Sequence, residues 1–501
     1  YPYMKGGSYR KWYGNQDYVI NYRQNGYELK AWADPLYDNS GWSRIIKSTD
    51  FYFKTGITYS KLGTGAFSAR LMPQGFIFDV AGSSIFPQDT IKVLSVLNSI
   101  TSDFFLKIIN PTVNVQSGDI RKLPVLKEAP KQIYDLTENA IKISKRICSE
   151  EETSYDFVSP SMEVSTSHKK QLSEIEIAIN NTVLNLYDLD VSDLEEIEFE
   201  KNEFDGDFQK KSNDNSTQID KHKKWISYAF GIIIGRFKPG IKDYLGCGNF
   251  YEDINKKLIG VSDLDGIVVI DEKHPDDIAH KIVECLTIIY GTDETASIIK
   301  NATGKIGDPE HLLHEFLSTK YFKDHIQLYR KRPVYWFLQS PQKKYGVWVF
   351  HERFTKDTLF RIQSEYVDPK IKLLESQIED LRAKRDSSEG RERREAEKEI
   401  SRLTEILDDV REFSKKIKKI TDRGYTRHID DGVLINMAPL WELIPSWQSE
   451  LKKAWQSLEK GEWDWSYQAM DNWPERVKEK CRKNKSYAIA HGLEDLYEGN
   501  D

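Results

Sequence analysis

Four short stretches of this 501-residue chain carry residue types at spacings that could do chemistry. Methyl transfer to an exocyclic amine needs a loop with an Asp or Asn, two prolines and a stacking aromatic, beside a glycine loop for the sulfonium cofactor. Asn110-Pro-Thr-Val113 has the amide and one proline but neither the second proline nor the aromatic, so it is a near miss. Tyr244-Leu-Gly-Cys-Gly-Asn249 imitates a nucleotide glycine loop, which works only between a buried strand and a helix. Lys242 and Asp243 precede it, and a turn is the better reading. In Asp265 to Lys273 the apolar run Ile267 to Ile270 ends in Asp271-Glu-Lys273, the acid-x-lysine half of a nuclease metal site. A strand ending in a charged turn has the same residues and is the plainer reading. His311 and His314 share a helical face with Glu315, a spacing compatible with a metal pair. With no further ligand at a recognisable spacing, they are expected to be packing or surface histidines. No Ser/His/Asp or Cys/His arrangement stands out, so no catalytic residue and no metal ligand is assigned.

A different signal comes from charge and aromatic content. The chain carries 72 Lys and Arg against 79 Asp and Glu, a net −7. Residues 1–130 run the other way, with ten Lys and five Arg against eight Asp and two Glu. Phosphate neutralisation needs cations, so this segment alone is electrostatically suited to DNA. Fifteen aromatics in residues 1–60 are interleaved with Lys5, Arg10, Lys11, Arg23, Lys30, Arg44, Lys47 and Lys54. Aromatic faces stack on bases and cations hold phosphates. An aromatic core with a solvated basic rim would have the same composition. By residue type, Arg suits guanine, Asn and Gln suit adenine, and Trp and Tyr stack or support. The DNA-contacting candidates are therefore Lys5, Arg10, Lys11, Trp12, Tyr13, Arg44, Lys47, Lys61, Arg70, Asn114, Gln116 and Arg121.

The elements that position these residues follow from periodicity. Phe51-Tyr-Phe53, Ile57-Thr-Tyr59 and Gly75 to Val80 read as short strands between glycine turns. Thr90 to Ile109 and Gln132 to Arg146 have helical spacing. An amphipathic helix over Lys169 to Tyr187, flanked by polar runs, suggests a hinge. The acidic run Asp188 to Asp207 reads as a solvated loop. Trp225 to Phe237 reads as a helix, Ile267 to Ile270 as a strand, and Arg332 to Phe337 with Tyr345 to Phe350 as a hairpin. Ile371, Leu374, Ile378 and Leu381, then Leu403 to Ile420, form two apolar stripes broken at Gly390, the pattern of an antiparallel coiled-coil hairpin. The tryptophans of the tail are expected to pack a satellite core. The predicted class is α+β: a mixed α/β segment followed by a mostly α-helical region with that hairpin. Expected boundaries are 1–130, a helical hinge 131–220, a helical domain 221–360, the hairpin 361–422 and a Trp-rich tail 423–501.

No run approaches the roughly 18 apolar residues that a membrane helix needs, and no signal pattern opens the chain, so a cytoplasmic location is expected. Cys148, Cys247, Cys285 and Cys481 are scattered without CxxC spacing, and are expected to be free thiols.

Several blocks, in one order, also carry a family likeness. Tyr1-Pro-Tyr-Met-Lys-Gly-Gly-Ser-Tyr-Arg-Lys-Trp-Tyr-Gly-Asn15, Tyr52 to Ser60, Phe67-Ser-Ala-Arg70, Gly75 to Gly82, Ile109 to Arg121, Lys331 to Trp336, Asp431-Gly-Val-Leu-Ile-Asn436 and Trp473 to Lys480 resemble the PglX family. These are adenine-specific DNA methyltransferases of bacteriophage-exclusion (BREX) defence systems. The resemblance implies that residues 1–130 are a target recognition domain, with double-stranded DNA as partner. It also implies an upstream methyltransferase domain that binds S-adenosylmethionine, matched by no residue here, so no cofactor is expected in this chain. Opening on Tyr1 inside a dense motif, the chain is expected to be a fragment. The function expected is sequence recognition that positions an adenine for flipping, without activity of its own. The alternative is a protein-interaction scaffold of a defence complex, in which the hairpin and tail dock other defence-system proteins and DNA binding is incidental.

Overall fold

The computed structural model describes all residues except 38–40, 61–66, 111, 113, 126, 163–165, 191, 193–213, 242–245, 249, 264, 273 and 500–501. The chain divides into two compact units, Tyr1–Lys224 with Ile241–Asn249, and Trp225–Gly240 with Phe250–Asp501. The expected boundary at 130 falls inside the first, and those at 360 and 422 inside the second.

In the first unit, Pro2–Met4 (β1) pairs antiparallel with Tyr18–Val19 (β2) and parallel with Ile77–Phe78 (β5). A second sheet centres on Gly56–Tyr59 (β3), between Ala69–Met72 (β4) and Ser84–Ile85 (β6), both antiparallel to it. The strand expected at Phe51-Tyr-Phe53 is instead a 3-10 turn over Thr49–Phe51, followed by Phe53 at φ +65°. That turn sends Tyr52 and Phe53 into a cluster with Met4, Tyr22, Met72 and Phe76, so ring burial overrides strand propensity.

The helices are Arg23–Ala33 (α1), Thr90–Leu97 (α2), Ile100–Ile109 (α3), Ser117–Ile120 (α4), Lys131–Ser149 (α5) and Thr166–Leu186 (α6). The helical spacing over 90–109 is split in two for a local reason. The Asn98 amide brackets Ala69, accepting from its N and donating to its O at 2.9 Å each. Ser99 then caps α3 by accepting from the Ser102 amide. Ile133 and Ala140 of α5 and Ile179 and Val183 of α6 lie in one core with Trp12, Ile57, Tyr59, Leu94 and Leu97. Each fully buried large aliphatic contributes about 1.5–3 kcal/mol. That shared core is why α5 and α6 belong with the sheets and do not form a hinge.

Asp214–Ile233 (α7) begins in the first unit and ends in the second. The second unit has one antiparallel sheet, ordered Ile267–Ile270 (β7), Gly346–Phe350 (β9), Tyr335–Gln339 (β8). Central β9 and edge β8 form the predicted hairpin, and Phe337 stacks on Trp348 with centroids 4.1 Å apart. Helices Glu252–Val261 (α8), Ile278–Tyr290 (α9), Thr292–Thr303 (α10), Pro309–Phe316 (α11) and Phe322–Leu328 (α12) complete this part, with a π-helical segment Leu317–Tyr321 joining the last two.

Asp368–Ser387 (α13) and Gly390–Thr421 (α14) are separated by two residues and therefore run antiparallel, with Glu375 and Arg411 paired across them at 2.7 Å. At the base of the pair Val410, Phe413 and Ile417 are fully buried. Buried Asp409 accepts the amides of Gln342 and Lys344, in the β8–β9 turn, at 2.8 and 3.3 Å. The hairpin is rooted in the body. In the tail, Ile435, Ala454, Leu458 and Val477 form a satellite core against which Trp455, Trp463 and Trp473 pack. All four cysteines are free thiols. Among the described residues no helix is long and apolar enough to cross a membrane.

Candidate nucleic-acid interface

Side chains of the opening motif bond to several other parts of the first unit. Backbone bonds from Trp12 N to Ala69 O and from Leu71 N to Trp12 O, at 2.9 and 2.8 Å, lay Trp12 along β4. Its ring is buried and donates Nε1–H to Glu176 on α6 at 2.6 Å. Tyr13, also buried, donates its hydroxyl to Asp156 at 2.5 Å. Burial and that carboxylate push its pKa well above the usual phenol range. Tyr3 donates to Asp79 at 2.7 Å. Arg10 binds Glu151 with both terminal nitrogens. Burial works against its charge, but Glu151 outweighs burial and holds the guanidinium protonated.

The glycines of the motif serve backbone contacts within the protein. A Cβ on Gly6, at φ +76°, would meet Ala81 O at 2.5 Å, and one on Gly14 would meet the Arg10 side chain at 2.3 Å and Cys148 Sγ at 2.9 Å. Close approach of the motif to its own unit needs both.

Three sequence candidates are thus interior residues. Trp12 and Tyr13 pack and hydrogen-bond inside the unit. Arg70, fully buried on β4, donates to Arg10 O and Ser60 Oγ at 3.3 and 3.2 Å, while its Nε has no partner. Burial, with Arg10 nearby, pulls its pKa down to about 10. An interior guanidinium cannot read a base edge without unfolding its strand, so the expectation that these three touch DNA is replaced by a structural role. Arg10 is half-buried and committed to Glu151.

Lys5, Arg44, Lys47, Gln116 and Arg121 are exposed, and Lys11 is half-buried beside Tyr9. Lys61 lies outside the described residues. Asn114 is half-buried, and its O accepts from Asn110 Nδ2 at 2.7 Å. Asn110 also donates to Asp119 at 2.7 Å and accepts from Thr112 N at 3.0 Å, while Pro111 and Val113 of the near-miss loop lie outside the described residues. Among the exposed aromatics are three that sequence reasoning did not select: Tyr9 at 48% exposure, Tyr27 at 65% and Trp32 at 46%. Tyr27 and Trp32 lie on α1, whose buried side rests on the Tyr22 cluster. Arg23 and Lys54 are exposed nearby in sequence. Net field does not single out this unit, because residues 131–224 add twelve Lys and Arg against 21 Asp and Glu. Phosphate contact here is a matter of local placement.

The other chemical candidates resolve as follows. Asp265 and Asp271 stand at opposite ends of β7, and each has its own cation, Arg361 at 2.5 Å and Lys370 at 2.6 Å. Lys273 lies outside the described residues, as do Tyr244, Leu245 and Asn249 of the glycine-loop imitation. His311 faces Glu272 at 3.8 Å, and Glu315 pairs with Lys305. His314 turns inward to Asp277 at 3.1 Å. The expected His311–His314–Glu315 face is therefore split three ways.

No protein-family model matches the chain. Among curated proteins it is similar to the adenine-specific methyltransferase BrxX of Escherichia coli O9:H4 (strain HS), 28% identical over 490 residues, covering 89% of this chain and 40% of that protein. It is also similar to the adenine-specific methyltransferase PglX of Lacticaseibacillus casei (strain Zhang), 29% identical over 472 residues, covering 87% of this chain and 38% of that protein. The chain thus spans about two fifths of the length of these relatives. The likeness read from the sequence blocks is borne out.

Proposed function

We propose that this chain is the DNA-reading portion of an adenine-specific methyltransferase, with S-adenosylmethionine binding and methyl transfer carried by sequence outside it. The carrying observation is the match to two adenine-specific methyltransferases along almost nine tenths of this chain and only two fifths of theirs. Supporting it, the first 130 residues expose Lys5, Arg23, Arg44, Lys47, Lys54 and Arg121 together with Tyr9, Tyr27 and Trp32. Cations of this kind hold phosphates, and exposed rings stack on bases or wedge between them. In the whole enzyme such a module fixes register so that one adenine is presented for flipping into the methyl-transfer site. Double-stranded DNA and the upstream methyltransferase domain are the partners of this reading.

Fluorescence anisotropy of a labelled duplex, titrated at two salt concentrations, tests it. Binding whose logarithmic affinity falls with log salt by about 0.9 per phosphate contact is expected. Salt-insensitive or absent binding would favour the scaffold alternative.

A further inference from the structure

We infer that Asp277, Glu310 and His314 form a binding site for a divalent transition-metal ion in the second unit, independent of the DNA reading. Glu310 and His314 are four residues apart on α11, so their side chains leave the same face. Asp277 caps α9, accepting the amides of His280 and Asp271 at 2.9 and 3.0 Å, which fixes its carboxylate. One donor atom from each of the three lies within 4.8 Å of the other two. Asp277 is 1% exposed and His314 11% exposed at the side chain, so these groups are already largely stripped of water. Two carboxylates and a neutral imidazole would balance the charge of a divalent ion in that space.

The telling detail is the His314–Asp277 contact. Nε2 lies 3.1 Å from Oδ2, at ion-pair distance, yet this buried nitrogen has no well-formed hydrogen bond. Two ligands of one ion stand in this relation. Bonds of roughly 2.1 Å meeting at about 90–110° put the donor atoms about 3.0–3.4 Å apart, with the ion on the ring axis and the oxygen to one side. His280 Nδ1 lies 3.2 Å from Glu310 Oε2, the outer contact that orients a ligating carboxylate. A cavity of about 870 Å³, lined by His274, His280, Lys281, Glu284 and Glu310 among others, reaches Glu310 and leaves room for water or a further ligand on the ion. One nitrogen and two carboxylate oxygens suit Mn²⁺ or Zn²⁺ better than Ca²⁺ or Mg²⁺, which favour all-oxygen shells.

Isothermal titration of the chelator-stripped chain with MnCl₂ and with ZnCl₂ tests the site. One saturable site per chain is expected with at least one of the two ions, accompanied by a rise in melting temperature. Glu310→Gln and His314→Gln, each shown folded by circular dichroism, should weaken it by at least about tenfold. Should His314→Gln fail to fold, Glu310→Gln, at a part-exposed position, decides alone. Absence of a saturable site for both ions, unchanged affinity in the folded variants, or binding abolished instead by His311→Gln would overturn the inference.

Discussion

Arg10 holds Glu151 through both terminal guanidinium nitrogens at 3.1 Å, joining the opening motif to the end of α5 across 141 residues of sequence. The pair is about one third exposed on each side, so solvent screens part of its strength. Arg10→Ala is expected to lower stability by about 1 kcal/mol, measured by denaturant titration, without altering the salt dependence of DNA binding. By contrast Lys5→Ala, Arg44→Ala and Lys47→Ala combined should leave the protein folded and flatten the salt slope by up to about 0.9 per lost phosphate contact. A folded triple variant with the parental slope would move the DNA surface elsewhere.

Trp12 is a packing residue with a hydrogen bond. Trp12→Ala should cost about 3–5 kcal/mol through the cavity and the stranded Glu176 carboxylate. Trp12→Phe should cost less and leave base preference intact. A Trp12→Phe variant that folds like the parent but loses sequence preference would mean the indole reaches DNA after all.

For the hairpin, two deletions should behave differently. Replacing residues 382–399 by a short linker removes mostly exposed residues and should leave cooperative melting in place. Deleting 371–420 removes Phe413, Ile417 and the Asp409 acceptor from the β8–β9 turn, and should abolish it. Equal melting curves for the two would show that the base is dispensable. Asp409→Ala alone should cost about 1–3 kcal/mol, since two amides of the exposed β8–β9 turn lose their charged acceptor.

The second unit should weaken in mild acid. His325 Nε2 accepts the amides of Val334 and Tyr335 at 3.0 Å each, which requires the neutral ring. Burial pushes its pKa well down, and burial with Arg427 nearby pushes that of His351 to about 4. Both are depressed bases, so the stability they contribute is complete above the unfolded value near 6.5 and is lost as pH falls below it, for His351 down to about 4. Each group adds a slope of about 1.4 kcal/mol per pH unit in that window. His428, raised by its bond to Asp471, acts in the opposite sense, its contribution being lost as pH rises. Denaturation midpoints between pH 7.5 and 5 should fall for the parent and fall less steeply for His325→Gln; identical slopes would refute the assignment.

The second unit's sheet and the α13–α14 pair were legible because Ile267 to Ile270 and the 332–350 hairpin are largely apolar runs buried along their length, and the stripes around Gly390 bury one face of each helix. Periodicity did not tell inside from outside in the opening motif. Trp12 and Trp32 sit in equally basic, aromatic surroundings, and only pairing of residue 12 with β4 and residues on α6 sends one inward. The break at Asn98 was hidden because it depends on Ala69, a tertiary partner. His314 was visible as a histidine three residues from His311, but its neighbour Asp277 stands 37 positions away, and only the packing of α9 against α11 joins them. The same holds for residues 131–187, whose place in the first core no local pattern announces.

Cys148 is 1% exposed, with its sulfur against Arg10 and Gly14, and burial raises its pKa to about 11. Alkylation of this thiol has to wait for the opening motif to lift away from α5, since the thiolate forms and meets reagent only then. Its labelling rate in otherwise native protein is therefore a clock for that local opening. Cys285, fully buried on α9, keeps separate time for the other unit.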